Sequence, residues 1–141
     1  MVNFKLFFYL VAFFTLVLDQ VSKFLILHYQ PNWSVGFIDI IFLKNSGAGF
    51  GILQGWSLLL GVVSLLVAGA VVYYYDQVPK QTWPQLFLGF FLGGVVGNAV
   101  DRLLRSYVVD FIDLGFWPAF NIADAAITIG AIGLIIVLWK K

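Results

Sequence analysis

The sequence predicts an all-α membrane protein, a bundle of four transmembrane helices with a small β element between the first and second helices. Of the 141 residues, 62% are hydrophobic and only 11% are charged, far from the balance of a soluble domain. Four apolar stretches have the ~20-residue length that a helix needs to cross a bilayer. The length fits a single domain over residues 1–141, because no linker, repeat or low-complexity run divides it.

Each predicted helix corresponds to one apolar stretch. We expect the four helices at about residues 4–27, 56–75, 84–100 and 121–139, joined by two long loops at about 28–55 and 101–120. The first stretch exceeds a signal-peptide core and no small-residue cleavage site follows it. It is therefore interpreted as a retained membrane helix.

The β element is predicted from the residues between helices 1 and 2. Val35 to Leu43 is rich in β-branched and aromatic residues, and turn-forming residues flank it on both sides. The segment from Ala48 to Leu53 is its expected partner strand. This pair should lie close to the membrane surface.

Composition excludes several classes of function. The chain has no cysteine, which excludes disulfides and thiol catalysis. It also has no glutamate and only one histidine, His28, so a metal site would lack ligands. We expect no metal and no cofactor. The net charge of +1 gives no basic surface for nucleic acid.

The acidic residues are concentrated on one side of the predicted membrane protein. With four spans, the termini and the turn at residues 76–83 share one side, and the two long loops share the other. Lysines and arginines divide evenly between the sides, so the positive-inside rule is indecisive. Six of the seven aspartates fall on the loop side: Asp19, Asp39, Asp101, Asp110, Asp113 and Asp124.

Helix 3 carries a ridge of small residues that leads to an acid. Gly89, Gly93 and Gly97 are spaced by four, which lets another helix approach closely in lipid. Asp101 continues this ridge by one turn, and Asn98 lies beside it on the helix surface. The ridge should therefore bring Asp101 to a packed seam.

Helix 4 begins with the same Asn-x-x-Asp spacing, Asn121 followed by Asp124. We predict that Asp101 and Asp124 form a carboxylate pair near one membrane face. Two adjacent carboxylates share a proton, and such a pair can act as base and acid in peptide hydrolysis. Alternatively, Asn121 and Asp124 form a helix cap, and Asp101 marks a helix end.

The other polar residues have simpler interpretations. Asp19 and Lys23 have the i, i+4 spacing of a helical ion pair that needs no catalytic role. Asp110 and Asp113 are predicted to be solvated loop residues, since neither is preceded by an asparagine at the same spacing.

The residues also resemble those of a known family. Four segments match bacterial prolipoprotein signal peptidase (signal peptidase II) in order, and Val108 to Phe111 resembles it as well. The four are Asp19-Gln-Val-Ser-Lys23, Asn45-Ser-Gly-Ala-Gly-Phe50, Gly93 to Arg102 and Pro118-Ala-Phe-Asn-Ile-Ala-Asp124. Ser46 and Gly49 depart mildly from the residues common in the family.

The resemblance implies an aspartic endopeptidase that removes signal peptides from diacylglyceryl-modified prolipoproteins, cutting just before the lipidated cysteine. It implies Asp101 and Asp124 as catalytic residues. It also implies supporting polar residues at Asp19, Asn45, Asn98, Arg102 and Asn121, and we predict that Lys23, Gly47, Phe50 and Ala123 likewise support the site or bind substrate.

The same resemblance implies a location in the bacterial cytoplasmic (inner) membrane, in contact with membrane lipids. The termini would be cytoplasmic and the active site extracytoplasmic. Four spans with one seam need no partner, so a monomer is expected. Two alternatives stay open: a small proton-coupled transporter, and a non-catalytic assembly factor whose glycine ridge binds a partner helix.

Overall fold

The computed structural model describes residues 2–49 and 52–139. It contains four α-helices, three β-strands and a short 3-10 turn at Tyr75–Gln77. In chain order the elements are α1 (Phe4–Tyr29), β1 (Trp33–Val35), β2 (Ile38–Asn45), α2 (Ser57–Tyr73), α3 (Thr82–Arg105), β3 (Val108–Asp113) and α4 (Ile122–Trp139).

Three of these helices, α1, α3 and α4, are long and apolar enough to cross a membrane, and α2 is a shorter apolar helix of 17 residues. Most apolar side chains on α1, α2 and α4 face outward, which is the expected arrangement for lipid contact. The prediction of a helical membrane protein with a small sheet is therefore confirmed in this coarse form.

Helix α3 lies at the centre of the bundle and packs against α1, α2 and α4. It is the most buried of the long helices: 56% of its 18-residue apolar segment is buried, compared with 28% for α1 and 22% for α4. Its glycines explain this position, because they let backbones approach where side chains would collide.

The glycines of α3 form two separate contact lines. A Cβ on Gly89 or Gly93 would collide with α1, and one on Gly97 would come within 2.5 Å of the Asp19 carboxylate of α1. Gly94 faces α4 instead, where a Cβ would lie 2.5 Å from the carbonyl oxygen of Ala123. The predicted ridge therefore leads to α1, and the neighbouring face of α3 leads to α4.

The three strands form one antiparallel sheet in the order β1-β2-β3. Asn45 at the end of β2 is opposite Val108 at the start of β3, with a register shift between Ile40 and Leu43. The sheet packs over the end of α1, where Ile26, Val109 and Phe111 form a small apolar core.

The prediction that Ala48 to Leu53 pairs with the strand at Val35 to Leu43 was wrong. The described part of residues 48–53 forms turns, and β2 pairs with β1 and with β3, which comes from the loop after α3. A Cβ on Gly47 would lie 2.5 Å from the carbonyl oxygen of Ile52, so the chain folds back tightly here. Such a fold leaves no extended backbone to pair.

Candidate functional site

The structure places Asp101 in a buried ion network, and its contacts with described residues do not include Asp124. One Asp101 oxygen lies 3.1 Å from Lys23 Nζ and also accepts from the backbone N–H of Val109 at 3.1 Å. The other accepts from Gln20 Nε2 and from Arg105. The expected Asp101–Asp124 pair is therefore corrected: the glycine ridge that carries Asp101 packs on α1, not on α4.

Asp19 and Lys23 form the predicted i, i+4 ion pair, with Nζ 2.8 Å from Oδ2 and both side chains fully buried. The second Asp19 oxygen accepts from the backbone N–H of Ala123 at 2.9 Å. Asp19 therefore joins α1 to the first turn of α4, where the helix dipole favours a negative charge.

Asp110 occupies a different environment from the solvated loop that we predicted. It lies on β3 and is only 2% exposed. Asn45 Nδ2 donates to its Oδ2 at 2.9 Å, and Asn121 Nδ2 donates to its Oδ1 at 2.8 Å. The prediction was wrong because these asparagines come from β2 and from the start of α4, far from Asp110 in sequence. The second loop acid, Asp113, is half-buried and accepts from the backbone N–H of Gly115.

Burial raises the pKa of the Asp110 carboxyl to about 6, and the negative charge of Asp124 adds to this increase. The hydrogen bonds from Asn45 and Asn121 act in the opposite direction but do not cancel the cost of burial. Asp110 therefore keeps its proton to higher pH than an ordinary aspartate does.

Asp124 lies in the first turn of α4. Its backbone N–H donates to Asn121 Oδ1 at 2.9 Å, and the backbone N–H of Asn121 donates back to Asp124 Oδ2 at 3.2 Å. This reciprocal pattern is a capping box, so the helix-cap alternative is confirmed. The other carboxylate oxygen accepts from Asn98 Nδ2 of α3 at 2.7 Å, so Asp124 does more than cap.

Two asparagine side chains connect the acids. Asn121 Nδ2 donates to Asp110 and also reaches Asn98 Oδ1 at 3.2 Å. Asn98 in turn donates to Asp124. Asp110 and Asp124 are therefore held by one hydrogen-bond network, which keeps Asp124 close enough for its negative charge to raise the pKa of Asp110.

Both of these aspartates line a cavity of about 730 Å³ between the sheet and the helix ends. Asn45 and Arg102 also line it, and Leu43, Val108 and Phe120 contribute apolar walls. Asp101, Asp19 and Lys23 do not line it. The cavity therefore has a polar end with two carboxylates and one guanidinium, and a mostly apolar remainder that Lys44 and Gln54 also line.

The loop after β2 covers part of this cavity. Arg102 Nη2 lies 3.4 Å from the carbonyl oxygen of Gly47, and the backbone N–H of Gly47 donates to Asn45 Oδ1 at 3.0 Å. Gly49 and Gln54 of the same loop line the cavity. Phe50, which we predicted as a site residue, lies outside the described residues.

Among residues 2–49 and 52–139, no group of three or more histidine, cysteine, aspartate or glutamate side chains is placed to hold a metal ion. The polar end of the cavity offers two carboxyl groups held by amide side chains, and the pKa of one of them, Asp110, is raised to about 6. Those are the functional groups of an acid-base hydrolase. Fold and site together define a class of helical membrane proteins with a carboxylate pair in a cleft beneath a small sheet.

Comparison with known proteins identifies the family within this class. The family model for Signal peptidase (SPase) II matches residues 11–140. Lipoprotein signal peptidase of Halothermothrix orenii is 36% identical over 94% of this chain and 95% of its own length, and that of Moorella thermoacetica is 40% identical over 94% and 91%.

Two solved structures have the same fold. Both are described as a bacterial membrane enzyme solved by the in meso method, one at 2.3 Å and one at 1.9 Å resolution. They match with TM-scores of 0.86 and 0.82 and are each 34% identical to this chain. The alignments cover 93% and 94% of it, and 86% and 92% of the solved chains.

This chain belongs to the signal peptidase II family. It is an aspartic endopeptidase embedded in a membrane, and the sequence-based assignment to this family is confirmed.

Proposed function

We propose that this chain removes the signal peptide from diacylglyceryl-modified bacterial prolipoproteins, cutting before the lipidated cysteine, and that Asp110 and Asp124 are its catalytic pair. The observation that carries the assignment of the pair is their placement. Both carboxylates line one cavity and accept from Asn121, Asp110 from its side-chain amide and Asp124 from its backbone N–H, whereas Asp101 is bound by Lys23 and Arg105 outside the cavity.

The charges at the polar end of the cavity support one shared proton. Two carboxylates held in one network disfavour ionisation of both at once, and the negative charge of Asp124 raises the pKa of Asp110. Asp110 is the more buried of the two and has the raised pKa, which assigns the proton to it. Asp124, with a short hydrogen bond from Asn98 and a position at the helix N-terminus, is the ionised member.

These protonation states give a complete reaction sequence. Ionised Asp124 takes a proton from a water molecule as the water oxygen attacks the scissile carbonyl carbon. Protonated Asp110 donates a hydrogen bond to the carbonyl oxygen, where negative charge develops. Transfer of a proton to the leaving nitrogen then breaks the C–N bond and returns the pair to one shared proton.

The cavity walls fit such a substrate. Leu43, Val108, Trp117 and Phe120 surround the carboxylates with apolar surface, which suits a peptide segment joined to a lipid-modified residue. The apolar lining also lowers the local dielectric constant, so interactions of the carboxylates with developing charge are stronger than in water.

We further propose that α2 is a fourth span, with the termini cytoplasmic and the cavity at the extracytoplasmic face. At 1.5 Å per residue, the 17 residues of α2 extend over about 26 Å, slightly less than a hydrocarbon core of ~30 Å. Local thinning of the bilayer accommodates a difference of this size. The protein would act as a monomer surrounded by membrane lipids, without a cofactor.

The proposal is tested by cleavage of a diacylglyceryl prolipoprotein in detergent. Asp110→Asn and Asp124→Asn should each reduce kcat by about 10³-fold or more while the protein still folds, because each removes one side of the acid-base pair. Asp113→Asn is the matched control. It changes the half-buried acid three residues farther along β3 and should retain activity.

Near-normal turnover by folded Asp110→Asn would show that Asp110 is not catalytic. Equal cleavage of the same precursor without its diacylglyceryl group would contradict the substrate assignment and leave the pair intact.

A further inference from the structure

Lys23 is a buried cation close to the proposed catalytic pair, and it belongs to neither the cavity nor the reaction described above. Its side chain is fully buried between α1 and α3. Nζ lies 2.8 Å from Asp19 Oδ2, 3.1 Å from Asp101 Oδ2 and 3.0 Å from Asn98 Oδ1. The three donors of the ammonium group are therefore used on three different residues.

The contact with Asn98 has a consequence for Asp124. An ammonium group can only donate, so the Asn98 atom that faces Lys23 must be the amide oxygen. The NH₂ group of Asn98 then faces Asp124 Oδ1, to which it donates at 2.7 Å. With the amide reversed, its oxygen would face the carboxylate and disfavour the ionised form of Asp124.

One other donor contacts the Asn98 oxygen, and its hydrogen bond is weaker. Asn121 Nδ2 lies 3.2 Å from it, but the same NH₂ group also donates to Asp110 at 2.8 Å. Lys23 is closer and charged, and hydrogen bonds from charged donors are roughly twice as strong as neutral ones. Lys23 is therefore the main determinant of the Asn98 orientation.

The buried ion network is internally balanced. Asp19 and Asp101 carry two negative charges, and Lys23 and Arg105 carry two positive charges. The other charged groups around the cavity are Arg102 on α3, Asp110 on β3 and Lys44 on β2, and α2 has no charged side chain. The ammonium of Lys23 thus has no unmatched acid to neutralise, which leaves its contact with Asn98 as a separate role.

We propose that Lys23 is a positioning residue, which fixes the Asn98 amide so that Asp124 is the ionised member of the catalytic pair. This inference rests on the proposed function of Asp110 and Asp124. It assigns Lys23 an effect on catalysis through Asn98, without contact with the substrate.

Two double variants separate this role from a purely structural one. Both carry Asp19→Asn, which keeps an oxygen for the Ala123 N–H and removes one negative charge. To this background we add Lys23→Gln or Lys23→Met. Gln and Met have nearly the same length and no charge, but only Gln donates a hydrogen bond to the Asn98 oxygen. Asp19→Asn alone is the reference.

The measurement is the pH profile of kcat/KM for prolipoprotein cleavage, with thermal unfolding as the check on folding. The acidic limb reports ionisation of the pair in the free enzyme. We expect the Met variant to move this limb to higher pH by about one unit, because Asn98 then adopts both orientations. The Gln variant should keep the limb of the Asp19→Asn reference.

Coincident limbs for the Met and Gln variants, shifted or not, would overturn the proposal, because only the Gln variant keeps a hydrogen-bond donor for the Asn98 oxygen. If the Met variant fails to fold, the Gln variant decides: a limb at the reference position supports the proposal, and an upward move in a folded protein refutes it. None of these outcomes affects the catalytic pair, which fails only if Asp110→Asn or Asp124→Asn stays active.

Discussion

Gly94→Ala should disturb the site from a distance, because Gly94 sets the separation of α3 from α4. A Cβ at this position would lie 2.5 Å from the carbonyl oxygen of Ala123 and 2.9 Å from Ile127 Cγ1. The first contact is with helix backbone, which no side-chain rotation can relieve. Asn98 lies one turn beyond Gly94, and Asp124 directly follows Ala123, so the displacement occurs beside the Asn98–Asp124 hydrogen bond.

The size of the effect follows from these distances. Ordinary van der Waals contact begins near 3.4 Å, so α4 must move away by about 0.9 Å. The 2.7 Å hydrogen bond from Asn98 Nδ2 to Asp124 Oδ1 then lengthens beyond the normal range. Overpacking of this kind costs about 1–3 kcal/mol of stability. A displacement of ~1 Å at a catalytic group lowers the rate by about 10²-fold.

The assay is cleavage of purified diacylglyceryl prolipoprotein, followed by gel mobility, together with thermal unfolding of the same preparation. Gly69→Ala is the control, since a Cβ on this glycine of α2 meets nothing within 4 Å. It should leave kcat unchanged and stabilise the helix by up to about 1 kcal/mol. Wild-type turnover and unfolding by Gly94→Ala would refute the claim that this contact sets the position of Asp124.

Two further predictions concern the acids. Asp101→Asn should lower the thermal unfolding midpoint, because it leaves buried Lys23 and partly buried Arg105 short of a carboxylate, and breaking a buried ion pair costs about 3–5 kcal/mol. Asp110→Asn should lower it by less, since it disturbs one of two amide hydrogen bonds and leaves the ion pairs of Lys23 and Arg105 in place. Equal midpoints for these two variants would argue against the ion network. Asn45→Ala removes a donor that lowers the pKa of Asp110, so that pKa should rise above about 6. The alkaline limb of kcat/KM reports loss of the Asp110 proton and should therefore move to higher pH; a limb that moved to lower pH, or stayed in place, would show that Asp110 does not hold the essential proton.

The sequence predicted the contacts of the acidic residues correctly where both partners lie within one helical turn. Asp19 and Lys23 are one helical turn apart, and the capping pattern of Asn121 and Asp124 spans three residues, so helical geometry alone places these side chains together. The glycine ridge of α3 was also visible, since its four-residue spacing is a property of one helix.

The sequence did not show which helix packs against each face of α3. Gly93 and Gly94 are adjacent in sequence but face different helices, so Asp101 follows one line to Lys23, and Asn98 follows the other to Asp124. The sequence therefore did not show which of these two side chains reaches Asp124. One signal in the sequence does point to Asp110, because it lies in Val108 to Phe111, a segment that resembles the family. The structure shows that this segment is part of strand β3, whereas the sequence predicts a loop.

The sequence by itself determined that this is a helical membrane protein of the signal peptidase II family, with its acids concentrated at one end, because hydropathy, motif order and residue counts are properties of the chain. Only the tertiary structure decided which acids share a cavity. Asp110 and Asp124 are joined through Asn121 and Asn98, from the start of α4 and from α3, and Asn45 of β2 also donates to Asp110. No local spacing encodes such contacts, because they depend on how the helices and the sheet pack together.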